Sequence, residues 1–297
     1  MKPPRFDYLA PSSLDEALGI LNRHGDQAKV LAGGQSLVPL LNFRLARPAR
    51  LVDLNEIAGL DGIEMDGGDL VIGAMARQRA VETSMLVRAQ CPLLAEAMPL
   101  IGHVQIRNRG TFGGSVAHAD PASELPAVIA ALDGDVVVKS VSGQRVLKPD
   151  AFFVSYFATA LAPNELLTSV RLPAPPPRTG TAFLEMSRRH GDFALVGVAA
   201  TLTVDDAGVC TRCALALTGV GPTPVVPREA AAVMVGVTPT ADAIAEVGRR
   251  VSAIVRPESD LHASSDYRTH LAGVLTERAL ARCAERIHGA PQDHGRP

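Results

Sequence analysis

Four of the five residues from 173 to 177 are proline. Proline lacks a backbone N–H and has a fixed φ, so neither a helix interior nor a central strand runs through such a stretch. The cluster at 173–178 therefore divides the chain, and 297 residues suffice for about two ordinary domains. With 47% hydrophobic and 20% charged residues the chain is globular and able to bury a sizeable core.

Before the cluster, Ser13-Leu14-Asp15-Glu16 reads as a capping box in which Ser13 and Glu16 satisfy reciprocal backbone donors. It opens a helix with Leu14, Ala17, Leu18 and Leu21 as its apolar stripe and Gly25 as its stop. Lys29–Ala32 reads as a short strand running straight into Gly33-Gly34, and 49–55 as a second strand. Asp66-Gly67-Gly68-Asp69 is a hairpin signal. Residues 81–102 carry helical periodicity interrupted at Pro92 and Pro99, a helix is expected from Pro121 onward, and VVVKSVSG begins further strands. Beyond the cluster, two strands joined at Asp205-Asp206-Ala207-Gly208 precede helices over about 240–253 and 265–287. A meander of strands followed by helices, with no regular βαβ series and no internal repeat, predicts an α+β fold.

Several chemistries are poorly served by this composition. A formal charge of −2 gives no reason to expect nucleic acid or an anionic membrane as partner, and 4% aromatics without Trp offer little for base stacking. No apolar stretch follows Lys2, so the N-terminus does not read as a secretory signal. The apolar run 193–204 falls short of the roughly 20 residues that span a bilayer. A soluble, cytoplasmic protein is expected. Cys210 and Cys213 form a C-x-x-C, but within a strand-like run with no second pair nearby, so no metal or cluster is assigned. His118 and Asp120 lack a third ligand and are read as hydrogen-bonding groups. Ser36 and Ser115 have no adjacent His to activate them, which disfavours a hydrolase. No catalytic residue is expected in this chain.

Two glycine pairs remain, AGGQS at 32–36 and TFGGS at 111–115, each closed by a hydroxyl residue. Glycine lets the backbone press against what it faces, and successive N–H groups form a concave anion-binding nest. One such loop suits one phosphate, and two together suit the pyrophosphate of a dinucleotide. There is no G-x-G-x-x-G and no G-x-x-x-x-G-K-[ST], so neither a Rossmann nor a P-loop site is written here. The residues alone leave two readings: a pair of ordinary turns, or a pyrophosphate clamp.

KVLAGGQSLVPLLNFRLARPARLVDLN together with IRNRGTFGGSVAHADPASELPAV resembles the FAD-binding medium subunit of the molybdenum hydroxylases. That family includes carbon monoxide dehydrogenase, xanthine dehydrogenase and the bacterial N-heterocycle hydroxylases. The likeness extends through LLTSVRLP before the proline cluster and RRHGDFALV after it. It implies a two-lobed FAD-binding domain of the PCMH type over 1–176, with sub-lobes of about 1–57 and 58–176. A C-terminal domain of antiparallel strands and helices over 177–290 and a tail at 291–297 would follow.

The resemblance also implies residue roles. Lys29, Leu31, Ala32, Gly33, Gly34, Gln35, Ser36 and Leu37 would wrap the diphosphate and ribityl chain, with N–H groups of Gly33, Gly34 and Ser36 facing phosphate. Thr111, Gly113, Gly114 and Ser115 would form the opposing wall, with His118 hydrogen-bonding in the same loop. Ile101 and Gly102 would lie along the flavin, Glu124 would bond the adenosine end, and Leu167 would pack near the adenine. Asp192 and Phe193 would approach the isoalloxazine ring. The sequence departs from the family pattern in having Ser115 where Asn is common, Glu124 where Asp is common, and no Lys near Leu184. The cysteine-bearing insertion that adds a 4Fe–4S cluster in some relatives is missing.

The function implied is electron relay. A large subunit would hydroxylate the substrate at a molybdenum cofactor, and a small subunit would pass electrons through 2Fe–2S clusters to this chain's FAD. An external oxidant would then take them, in an assembly expected to be a dimer of heterotrimers. The alternatives are a self-sufficient FAD oxidase or reductase of the PCMH superfamily, and a scaffold whose flavin site has decayed. The run GGSVAHADPASELP leans toward the heterocycle-hydroxylating relatives, but the substrate is chosen in the large subunit.

Overall fold

The structure is a computed structural model that describes residues 2–289. The expected tail at 291–297 and residue 290 lie outside the described residues. The order begins β1 (Asp7–Leu9), α1 (Leu14–His24), β2 (Ala28–Leu31), α2 (Leu37–Asn42) and β3 (Arg50–Asp53). These strands form a parallel sheet in the order β1-β3-β2. A small βαβ lobe was thus hidden in a sequence that shows no βαβ series. Its strands are only three or four residues long, too short to show periodicity. Helix α1 buries Ala17, Leu18, Ile20 and Leu21 against it. Ser13 caps Glu16 N–H as expected, but the Glu16 carboxylate reaches back to Ser12 N–H instead of Ser13. The capping box is therefore half right.

The second lobe runs β4 (Ile63–Asp66), β5 (Asp69–Gly73), α3 (Gln78–Thr83), α4 (Met85–Gln90), α5 (Pro92–Ala97), α6 (Val104–Arg109), α7 (Phe112–His118) and α8 (Glu124–Ala131). It closes with β6 (Asp135–Ser140), β7 (Gly143–Leu147), α9 (Pro149–Phe152), β8 (Phe153–Ser155), β9 (Ala158–Thr159) and β10 (Leu166–Pro173). An antiparallel sheet in the order β4-β5-β10-β6-β7 carries the helices. The hairpin at Asp66–Asp69 forms as read, with φ of 60° at Gly67 and 93° at Gly68, values that a two-residue turn with two left-handed positions requires. The second glycine pair is not in a loop. Gly113 and Gly114 lie in the first turn of α7, which Thr111 caps by accepting from Gly114 N–H.

After the prolines come β11 (Thr179–Ser187), β12 (Ala194–Val204), β13 (Cys210–Thr218), α10 (Arg228–Ala232), α11 (Ala241–Ile254) and α12 (Ser265–Gly289). The three strands are antiparallel with β12 central. Every residue of β12 is buried, which explains its unbroken apolar run: both faces are covered. Val196, Val198, Ala200 and Leu202 pack against α11 and α12, while Ala199 joins Phe183 and Ala216 in the core shared with α5 and α8. Cys210, Cys213 and Cys283 sit in the first of these cores. Burial pushes the Cys213 thiol up to about 12, the opposite of what a metal-binding or redox thiolate needs.

Candidate functional site

The two glycine motifs, far apart in sequence, touch. A Cβ on Gly33 would strike the Arg109 carbonyl oxygen and lie 2.7 Å from Gly110 Cα and 3.0 Å from Thr111 N. A Cβ on Gly114 would lie 2.5 Å from Thr111 Oγ1 and 3.4 Å from Ala32 Cβ. Only residues without side chains allow this approach. Gly34 has φ +74°, a left-handed conformation that turns the chain from β2 toward α2.

The first motif holds the free donors. Among the described residues, the N–H groups of Gly33, Gly34, Gln35 and Ser36 donate to no protein acceptor. The carbonyls of residues 31–33 are occupied: Leu31 O accepts from Leu54 N at 3.0 Å, Ala32 O from Asn55 Nδ2 at 3.1 Å, and Gly33 O from Gln35 Nε2 at 3.1 Å. A trans peptide points its C=O and the next N–H in opposite directions, so binding the carbonyls turns the N–H groups of Ala32, Gly33 and Gly34 away from those partners. A run of free N–H groups is what an anion nest requires. The second motif differs. Gly113 N–H donates to Ala74 O at 2.8 Å, Gly114 N–H to Thr111 Oγ1 at 3.1 Å, and Ser115 N–H to Thr111 O at 3.2 Å. It bounds the nest and lends it no backbone donors from these three residues.

Beside this wall lies a chain of polar groups. Ser115 Oγ is 3.2 Å from Ser123 Oγ, and the single O–H of Thr218 is shared between Pro121 O at 2.6 Å and Ser123 O at 2.9 Å. Glu124, next in sequence, is 6% exposed. Glu185 on β11 shares the face of Phe183 and stands opposite Gly197, itself opposite Thr218. Its Oε2 is buried and without a hydrogen-bond partner. Burial, reinforced by the neighbouring Glu185 carboxylate, raises Glu124 to about 8, and burial raises Glu185 to about 7. Burial also raises Asp120, whose Oδ1 accepts from Ala122 N–H at 2.9 Å.

A pH prediction follows. Both glutamates titrate above their ordinary value of 4.5, so the folded chain holds more protons than the unfolded one. Their contribution to stability is fully present below about pH 4.5 and is lost as pH rises through about 7 and 8. The melting temperature should fall between about pH 5 and pH 8.5 and fall less steeply in Glu185→Gln. An unchanged slope in that variant, measured by thermal unfolding, would contradict the assignment.

The remaining expected residues divide. Lys29 is exposed near His118, whose ring packs on Phe157 with centroids 5.2 Å apart. Burial lowers His118, Asp120 opposing the shift and Lys29 adding to it. Leu31 and Leu37 flank the nest at the ends of β2 and α2. Ile101 and Gly102 lie just before His103, which meets the C-terminal domain: a Cβ on Gly191 would strike its ring. Asp192 is paired with Arg188 at 3.1 Å and Arg189 at 3.5 Å, and Phe193 is 65% exposed. Leu167 does not join this gathering. It lies at the bulge of β10, 3% exposed, with its side chain in the main core.

The family model for the FAD binding domain in molybdopterin dehydrogenase matches residues 4–175, and that for the CO dehydrogenase flavoprotein C-terminal domain matches 181–283. The chain belongs to the FAD-binding medium-subunit family of the molybdenum hydroxylases. It is 42% identical to the alpha subunit of the 6-hydroxypseudooxynicotine dehydrogenase complex of Paenarthrobacter nicotinovorans, covering 96% of this chain and 97% of that one. It is 42% identical to caffeine dehydrogenase subunit beta of Pseudomonas sp. (strain CBB1), covering 97% of each. A solved carbon monoxide dehydrogenase of Hydrogenophaga pseudoflava that lacks the Mo-pyranopterin moiety superposes with a TM-score of 0.93 at 39% identity, over 96% of this chain and 99% of its own.

The residues present fit the cofactor of the medium-subunit family. Four unspoken-for N–H groups suit a diphosphate, and the close contact between the motifs that holds them is one that a Cβ at Gly33 would break. Where some family members carry a lysine near Leu184, this flavoprotein presents the acid Glu185. Sequence reasoning missed Glu185, although an acid inside the apolar run AFLEMS was a readable signal. It also missed Arg107, which is 6% exposed and donates through NH1 to Ile101 O at 2.9 Å and Gly102 O at 3.0 Å. Only the fold reveals that role.

Proposed function

We propose that this chain is the FAD-carrying electron-transfer subunit of a heterotrimeric molybdenum hydroxylase. A molybdenum-cofactor large subunit and a 2Fe–2S small subunit are its partners, and an external acceptor takes the electrons. The observation that carries the reading is the contact of the two glycine motifs around free backbone donors. FAD, when bound, supplies the redox chemistry, taking electrons from the iron–sulfur side and giving them up to the acceptor. The chain's own residues bind and orient. Gly33, Gly34 and Ser36 direct N–H groups at the diphosphate, and Ile101, Gly102 and Phe193 lie toward the ring. Glu124, raised to about 8, holds its proton at neutral pH, and Glu185, raised to about 7, exchanges one there. The relatives that act on 6-hydroxypseudooxynicotine and caffeine favour a nitrogen heterocycle or a related amine as the substrate of the large subunit.

The test is flavin reduction followed by absorbance. The full chain loaded with FAD should not be reduced by an N-heterocycle, a purine, an aldehyde or CO. It should be reduced rapidly by the right substrate once the molybdenum and 2Fe–2S subunits are added. Reduction of the isolated chain by a small organic substrate would replace this reading with a self-sufficient oxidase.

A further inference from the structure

A hydrogen-bonded relay ties the two glycine motifs together from behind. Asp53, the last residue of β3, is 9% exposed and accepts from Tyr8 Oη at 2.6 Å and from Asn55 N–H at 3.0 Å. The Asn55 side-chain amide also donates to Asp53 Oδ1 and to the Ala32 carbonyl, the latter at 3.1 Å. Its Oδ1 in turn accepts from Arg77 NH2 at 2.6 Å. The other arm of the same guanidinium, NH1, donates to the Arg109 carbonyl at 2.6 Å. That carbonyl is the one a Cβ at Gly33 would strike. Arg77 also pairs with Thr111 across an isolated β-bridge. One side chain from β3's exit and one from the start of α3 thus hold the peptides next to Gly33 and Gly110.

We infer that Asn55 and Arg77 are positioning residues of the diphosphate clamp, acting as one relay that sets peptide orientation in both glycine motifs. Asn55 holds the Ala32 carbonyl and so turns Gly33 N–H the other way, toward the anion. Arg77 holds both Asn55 and the backbone on which Gly33 rests. A planar fork holds two separated acceptors through two different nitrogens, a fixed spread that the single nitrogen of a lysine does not reproduce. The inference rests on the flavin reading and concerns the diphosphate, not the ring.

The experiment titrates FAD and riboflavin, which lacks the diphosphate, into the full chain stripped of flavin. Four proteins are compared: wild type, Asn55→Asp, Arg77→Met and the double variant. Asn55→Asp keeps the size and the acceptor for Arg77 but presents no N–H to Ala32 O. Each single change should weaken FAD binding by roughly ten- to a hundredfold, the scale of one charge-assisted hydrogen bond. Riboflavin binding should stay within about twofold, and the double variant should be no worse than the weaker single, as members of one network behave. A relay that merely supports the fold would weaken both ligands in parallel, and independent residues would add. Either result, or FAD affinity within about twofold of wild type in the single variants, overturns the relay while leaving the flavin reading intact. Wild-type chain that fails to bind FAD overturns both.

Discussion

Gly33→Val should give a protein that purifies without flavin. The new Cβ would meet backbone atoms, the Arg109 carbonyl and Gly110 Cα, and not the far end of a flexible side chain. Backbone on both sides must separate, which opens the contact that sets the Gly33 and Gly34 peptides, the donors of the proposed diphosphate clamp. Overpacking of this kind costs about 1–3 kcal/mol of stability. The loss in FAD affinity should be larger, roughly a hundredfold or more, because several donors lose their geometry together. Gly62→Ala is the control, since a Cβ there meets nothing within 4 Å and φ is not positive. The ratio of flavin to protein absorbance and an FAD titration decide it. A Gly33→Val protein with a full complement of FAD would show that the motifs do not form one site.

Arg107→Met should be the most destabilising single change in the FAD-binding half. The guanidinium is 6% exposed and uses four of its five N–H donors: Nε and NH2 meet the two Glu82 oxygens at 2.8 and 3.1 Å, and NH1 bridges the carbonyls of Ile101 and Gly102. Removing it strands two carbonyls and leaves Glu82 to Arg79 alone, at 3.0 Å. Breaking a buried pair from one side costs about 3–5 kcal/mol, which corresponds to a fall in melting temperature of roughly 5–10 °C. Glu82→Leu combined with Arg107→Met should recover part of the loss, because no charge is then left unpaired. Arg107→Lys should fall between, keeping the charge without the fork. A loss under about 1 kcal/mol in Arg107→Met would mean that the 101–102 segment is held by packing alone.

The elements that came through legibly were those whose signal is local. The stripe of Leu14, Ala17, Leu18 and Leu21, the hairpin at Asp66–Asp69 and the Asp205–Gly208 turn need only neighbours in sequence to declare themselves. Three-residue β1 carried no such signal, and its parallel pairing with β3 depends on a partner more than forty residues away. The glycine pair at 113–114 looked like a loop because glycine lowers helix propensity, yet it opens α7. There Thr111 supplies the cap, and contact with Ala74 leaves no room for a Cβ on Gly113.

What the sequence determined by itself was the chemistry on offer: two glycine motifs in a fixed order and a proline break near residue 175. What only the tertiary structure decided was how unequally the motifs share the work. The N–H groups of 33–36 stay free, those of Gly33 and Gly34 turned outward by Asn55 and Gln35 on the carbonyls before them, while those of 113–115 are consumed by Ala74 and Thr111. It likewise decided that Glu124 is buried and that Glu185, far from it in sequence, is half-buried with one oxygen shut from solvent, which raises both carboxyls. Hydrogen-bond partners and burial are properties of the folded neighbourhood, set by contacts between β3, α3, α7 and the C-terminal sheet that no spacing along the chain encodes.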